Sequence, residues 1–247
     1  VNISVDADSY IDEIGSVCDA LLPRFENDGG GWVSVALTYL ASSTINSIVT
    51  RARELHDKIN RPNVIIGIIA DTAGIEAIGM LSADGISVNA LEIYSSIRAQ
   101  QAAEQIIQNA QKGAVGIITV SVNPYDVYLN ERLKQHGLAQ NRIGFFVATK
   151  IYNLIEERDS DKVRVMFARL DKADPQVSDE YYIENLNLPN AYLLLGVSLF
   201  EHSLGHDYEE SFHFQNKHLD AFFSFLSPAQ ISINEAEDIL LERVISS

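Results

Sequence analysis

Six short runs rich in Ile, Val and Leu, each followed by a stretch with helical period, set the limits on what this chain can fold into. The runs are Trp32–Leu37, Val64–Ala70, Ser87–Tyr94, Val115–Val122, Val163–Ala168 and Ala191–Val197. Between them the apolar residues recur every three or four positions. Ser9–Phe25 places Ile11, Ile14, Val17, Cys18, Leu21 and Leu22 on one face, and Ser43–Ile59 does the same with Ile45, Ile48, Val49 and Leu55. Thr72–Leu81, Ile97–Lys112, Asp126–Gln135 and Asn141–Glu157 also read as helices, and His206–Ile245 reads as mainly helical. Strands of near-continuous aliphatic character separated by amphipathic helices predict a parallel sheet buried on both faces. That pattern fits a closed barrel or an open doubly wound sheet, and periodicity alone does not choose. No Gly-rich phosphate-binding motif follows any strand, which weakens a nucleotide-binding sheet.

Composition narrows the functional classes. A chain of 247 residues is long enough for one large domain with a substantial core. A formal net charge of −16 argues against a nucleic-acid partner and against docking on anionic lipid. No apolar run reaches the length of a membrane span, so no membrane insertion is expected. The single cysteine, Cys18, excludes an internal disulfide and suits a reducing compartment, either cytoplasm or an organelle stroma or matrix. A small buried side chain is the plain reading of Cys18. The sequence starts at Val1 without a basic-plus-apolar leader, as a processed or truncated product would.

The stretch Arg61–Ser95, RPNVIIGIIADTAGIEAIGMLSADGISVNALEIYS, resembles the corresponding stretch of transaldolases, the (β/α)8-barrel enzymes of the pentose phosphate pathway. SVCDALLPRFENDGGGWVSVALTY is similar to the segment entering the third barrel strand of that family, and VGIITVSVNPYDVYLNERL to the sixth strand and its helix. AQNRIGFFVATKIYNLIEE resembles the next helix, and VMFARLDKADPQVSDEYYIENLNLPNAYLLLG the seventh strand through to the eighth. The resemblance implies an α/β transaldolase-like (β/α)8 TIM barrel, with 1–247 as a single domain. It also implies two strands before the segment that matches here. About six of eight strands are then visible, and the barrel is incomplete at its N-terminal side. Either residues upstream of Val1 are missing, the 1–8 segment partly fills the gap, or a partner covers the opening, since soluble proteins avoid bare sheet edges. A protein partner or self-association is therefore expected.

Carried over position by position, the family's active site is nearly erased. Its acid/base glutamate falls on Ala36 and its Schiff-base lysine on Gly67. Of its Asn-x-Thr pair, Asn89 remains while the threonine position is Leu91; its sixth-strand serine position is Thr119. Its phosphate-binding arginine falls on Pro124, and two seventh-strand hydroxyl positions fall on Arg169 and Leu170. Covalent aldol chemistry needs an amine to attack the ketose carbonyl, together with acids and bases for dehydration. Glycine supplies no amine, so the resemblance implies the family's fold without catalytic residues and without a cofactor. Of Lys58, Lys112, Lys150 and Lys172, only Lys172 is expected on the catalytic face. There, with Arg169, it would hold a phosphorylated sugar; alternatively both cations are solvated or paired with Asp171 and Asp174.

Two features stand apart from these positions. Strand alternation with Asn89 turns Glu92 toward the helix layer, where a carboxylate needs a partner, unless it lies at an exposed strand end. His202, His206 and His213, with Glu209, would share one face of a continuous helix, a possible metal arrangement, although Gly205 interrupts the run. A surface cluster of histidines is the alternative. The neighbouring Phe212, Phe214, Phe222, Phe223 and Phe225 read as core or barrel-cap packing. Three functions remain open: a catalytically silent transaldolase-like structural, assembly or regulatory subunit, an enzyme of altered chemistry on the same barrel, or a metal-binding module.

Overall fold

The computed structural model describes residues 2–3, 10–37, 43–111 and 113–246. Its first half runs β1 (Asn2–Ile3), α1 (Ile11–Asp28), β2 (Val33–Ala36), α2 (Ile45–Ile59), β3 (Val64–Ile69), α3 (Thr72–Asp84), β4 (Val88–Ile93) and α4 (Ser96–Asn109). There follow β5 (Gly116–Ser121), α5 (Asn123–Gln135), α6 (Ile143–Glu156), β6 (Val163–Ala168), α7 (Tyr181–Leu186) and β7 (Tyr192–Leu193). The C-terminal part is helical: α8 (Val197–Ser203), α9 (Asn216–Ser224), a 3-10 turn at Ser227–Ala229 and α10 (Ile233–Ile245).

The strands lie in the sheet in chain order, β1 to β7, and β1–β2, β2–β3, β3–β4 and β6–β7 pair in parallel. This order settles what periodicity left open. A doubly wound sheet reverses its strand order at a switch point, whereas a (β/α) barrel adds each strand beside the last. The fold is accordingly the α/β, transaldolase-like barrel type. Seven strands are present among the described residues, one more than the six expected, because Asn2 and Ile3 pair with Ser34 and Val35. The 1–8 segment thus supplies a strand at the β2 edge, while residues 1 and 4–9 lie outside the described residues.

Two compact units interleave along the chain. The first comprises Val1–Leu91, Gln101–Ile118 and Asp161–Val163. Its core is aliphatic: Val33, Val35, Ile65, Ile66, Val88 and Ala90 are fully buried on the strands, and Cys18 is buried with them. The start of α2 is fixed by a reciprocal Thr44–Ser47 cap, and α3 begins where Asp71 accepts from the Gly74 N–H at 2.7 Å.

The second unit comprises Glu92–Gln100, Thr119–Ser160 and Arg164–Ser247. Its helix α6 is apolar nearly all round and is buried along its length, packed by Phe214 and Phe222, whose rings lie 5.0 and 4.6 Å from Phe146. Pro124 occupies the first turn of α5, where a missing N–H costs nothing. Asp126, with no exposed surface, accepts hydrogen bonds from the Ile143 and Gly144 N–H groups at the start of α6 and from the Tyr182 hydroxyl of α7. One carboxylate therefore ties three helices together.

Several expectations need correction here. The strand expected over Ala191–Val197 is only Tyr192–Leu193, and Val197 opens α8. Leu194 still donates to Phe167 O at 2.8 Å, but the ladder ends there, and composition cannot show where pairing stops. The helical tail from His206 starts only at Asn216. Phe214 and Phe222 pack as expected, whereas Phe212 and Phe225 are 71% and 68% exposed.

Burial pushes the Asp126 carboxyl up to about 6, against the pull of its three donors. Because this value exceeds the ordinary 3.8 of an unfolded aspartate, its contribution to stability is complete below about pH 4 and is lost as pH rises through about 6. Urea midpoints should therefore fall between about pH 4 and pH 6 and level off above that range. Asp126→Ala, which leaves three buried donors without an acceptor, should cost about 3 kcal/mol and remove that slope.

Candidate functional site

In the first unit, the cross-strand register places Ala36, Gly67 and Asn89 abreast on β2, β3 and β4. The three positions singled out in sequence thus form one row. Asn89, fully buried, donates through Nδ2 to Ser34 Oγ at 3.0 Å, a bond from β4 to β2. Around Gly67 the space is taken. A Cβ built at this position would meet Leu91 Cδ1 at 2.9 Å, Leu91 Cγ at 3.4 Å and Ala36 Cα at 3.1 Å. Leu91 covers the point from which a side chain at 67 would leave the backbone, and the row's polar groups are the Asn89 amide and the Ser34 hydroxyl that it meets.

In the second unit the polar residues gather on Glu92. Its Oε1 accepts from Arg169 Nη2 at 2.7 Å, and its Oε2 accepts from the Tyr94 hydroxyl at 2.7 Å and the Ser121 hydroxyl at 2.9 Å. Both Glu92 and Arg169 have left-handed backbones, with φ of 56° and 55°. This conformation costs a non-glycine residue roughly 1–2 kcal/mol. It also corrects the expectation from alternation. The left-handed turn at Glu92 breaks the two-residue period, and its carboxylate meets Ser121, which shares a β5 face with buried Thr119. The carboxylate is paired, as burial requires. Burial pulls the Arg169 guanidinium down, but the Glu92 hydrogen bond and charge outweigh it and hold it above its ordinary value. Burial, then the Glu92 charge, pushes the Tyr94 phenol well up, so it stays a donor.

The remaining candidates separate. Arg169 and Lys172 are both paired, though with Glu92 and Asp179 rather than with Asp171 and Asp174. Lys172 lines a surface cavity of about 440 Å3 with Asp171, Asp179, Glu201 and His202, a predominantly acidic wall. Leu170 is buried. Lys150 pairs with Asp220 at 2.7 Å, and Lys112 lies outside the described residues. The histidine face does not form. His202 lies in the last turn of α8, Gly205 turns the chain with φ of 83°, and His206 and His213 lie on irregular backbone. His206 Nδ1 meets Glu180 at 2.7 Å and His213 Nε2 meets Asn153 at 2.6 Å. Among the described residues no group of three or more His, Cys, Asp or Glu side chains could hold a metal ion. Sequence reading missed Ser34, Tyr94 and Ser121. Tyr94 and Ser121 each lie two residues beyond a singled-out position, but nothing in a two-residue period reveals a left-handed turn.

The chain matches one known family over nearly its whole length, the transaldolase/fructose-6-phosphate aldolase model aligning with residues 8–241. The chain belongs to that family. Transaldolases similar to it include that of Helicobacter pylori strain P12, 30% identical over 181 residues, covering 72% of this chain and 56% of that protein. The transaldolase of Campylobacter jejuni strain 81-176 is 27% identical over 195 residues, covering 73% of this chain and 59% of that protein. That of Mycobacterium ulcerans strain Agy99 is 26% identical over 208 residues, covering 72% and 56%. This transaldolase-family chain therefore matches a little over half the length of these relatives. Among the described residues, no helix is long and apolar enough to cross a membrane.

Arg169→Ala should lower unfolding stability by about 2 kcal/mol, because the half-buried Glu92 loses its charged donor. Lys172→Ala, on a more exposed pair, should cost under about 0.5 kcal/mol. Chemical denaturation of the two variants compares them directly.

Proposed function

We propose that this chain is a catalytically silent member of the transaldolase family, serving as a structural, assembly or regulatory subunit. The observation that carries this reading is the packing at Gly67. The position that the family resemblance gives to the Schiff-base lysine has no side chain, and Leu91 fills its place. The position given to the acid/base glutamate is Ala36, in register beside it. An imine mechanism needs an amine and a proton shuttle, and this row offers neither. The subunit role is supported by β1 and β7, two-residue strands at the two ends of the strand order, whose outer backbone groups suit a protein partner or a second copy of the chain. The reducing compartments, cytoplasm or organelle stroma or matrix, fit the lone buried thiol of Cys18.

A second reading, an enzyme of sugar-phosphate metabolism with altered chemistry, is favoured by the polar cluster of Glu92, Tyr94, Ser121 and Arg169 and by the transaldolase names of the relatives. Against it, the guanidinium that would meet a phosphorylated sugar already holds the Glu92 carboxylate.

Borohydride reduction in the presence of fructose 6-phosphate, followed by intact-protein mass spectrometry, separates the two. The silent reading expects no added mass. A sugar adduct would overturn it, and peptide mapping would then locate the amine, with Lys172 examined first.

A further inference from the structure

The N-terminus of α4 borders a cavity that the strand-end residues do not explain. It has a volume of about 270 Å3 and is enclosed within the second unit by the start of α4, by α6, and by α9 and α10. Five polar residues line it from three directions: Ser95, whose hydroxyl accepts from the Ile97 N–H at 3.2 Å, and Ser96 at the start of α4, Lys150 from α6, and Asn234 and Glu237 from α10. Phe223 of α9 supplies an apolar wall, and the Lys150 ammonium lies 5.6 Å from the centre of that ring. Few polar groups converging on a partly apolar hollow is the usual form of a small-molecule site, and this volume suits a small metabolite rather than a dinucleotide.

The chemistry of the lining narrows the ligand. Asp220 takes one of the three N–H donors of Lys150 and is itself largely exposed, so the ammonium retains donors for a second anion. Ser96 and Asn234 offer both donors and acceptors, the pattern that matches neighbouring hydroxyl groups. Glu237 is the remaining member. Burial pushes its carboxyl up to about 7, and Asp238 of its own helix adds to this; the Ser95 hydroxyl and the Arg98 and Lys150 charges oppose it. Near neutrality it is therefore partly protonated and can donate to an anion.

We propose that this cavity binds a small polyhydroxylated carboxylic acid, with its carboxylate on Lys150 and Glu237 and its hydroxyl groups on Ser96 and Asn234. The inference is independent of imine chemistry, since such an acid carries no aldehyde or ketone, and the borohydride result leaves it untouched.

Isothermal titration of the chain with sodium gluconate tests it, with glucose and inorganic phosphate as separate probes. Saturable one-to-one gluconate binding is expected, with no binding of glucose and phosphate weaker than gluconate. Lys150→Gln should weaken gluconate by about tenfold, the value of one hydrogen bond to a charged group. Affinity should rise as pH falls through about 7, because the protonated Glu237 donates to the ligand. Glu237→Gln, which keeps the shape and always donates, should bind with that pH dependence removed. Absence of gluconate binding overturns the proposal, as does Lys150→Gln binding like the unaltered chain. Phosphate binding as tightly as gluconate overturns the hydroxyl half of it, and a Glu237→Gln variant that keeps the full pH dependence overturns the role of Glu237. Circular dichroism of both variants confirms that a loss reflects the site and not the fold.

Discussion

A parallel strand satisfies its backbone only through its neighbours and is stable only when both faces are covered, and the rest of this structure follows from that requirement. The aliphatic run at Val64–Ile69 has no polar face to offer water, and every residue of Gly116–Ser121 is buried, so helices must cover them. Once helices connect successive strands in chain order, the loops at the C-terminal ends of the strands are where side chains of mixed chemistry can gather. Glu92, Ser121 and Arg169 lie at the C-terminal ends of β4, β5 and β6, whereas Asn89 and Thr119 sit within β4 and β5. The composition of this end of the sheet therefore speaks to function, whereas the aliphatic positions deeper in the strands speak to stability.

The two units differ in how their strand residues are packed. In the first, the row Ala36, Gly67 and Asn89 is packed as a core is packed, with Leu91 over the glycine and the one amide satisfied by Ser34. In the second, a carboxylate is kept half-buried by three donors, and two residues adopt left-handed backbones to bring it there. Backbone strain of this kind persists only where surrounding contacts over-determine it. The Glu92–Arg169 pair has them: the carbonyl of Arg169 accepts from the Asn123 N–H at 3.1 Å, and Asn123 Nδ2 holds the carbonyl of Asp171 at 2.9 Å. Asp126 illustrates the same principle without strain. A single buried charge is tolerated because two helix N–H groups and a phenol point at it.

Much of the fold was legible in the sequence because burial leaves a periodic trace. Helices α2, α3 and α6 and strands β3 to β6 lie within a few residues of where periodicity puts them. The misses have identifiable causes. Leu193 to Leu195 is as aliphatic as any strand, but a strand also needs a partner, and the pairing with β6 lasts only two residues. The histidine face between His202 and His213 required a continuous helix, which Gly205 and the irregular backbone after it do not permit. Of the site, Asn89, Thr119 and Glu92 were singled out, whereas Ser34, Tyr94 and Ser121 were not, because their significance is only that of being neighbours.

The sequence by itself determined the class of fold, the family and the chemical identity of each strand position, including the glycine that cannot form an imine. These are properties of residue type and spacing along one chain. Only the tertiary structure decided that Leu91 closes over Gly67, that Arg169 is bound to Glu92 rather than to the aspartates beside it, and that Lys150 and Glu237, 87 positions apart in the numbering, line one cavity. Each of these depends on a backbone turn or on the packing of distant helices. Neither leaves a local periodic signal, since a contact between remote residues is fixed by the energy of the whole arrangement and not by the sequence around either one.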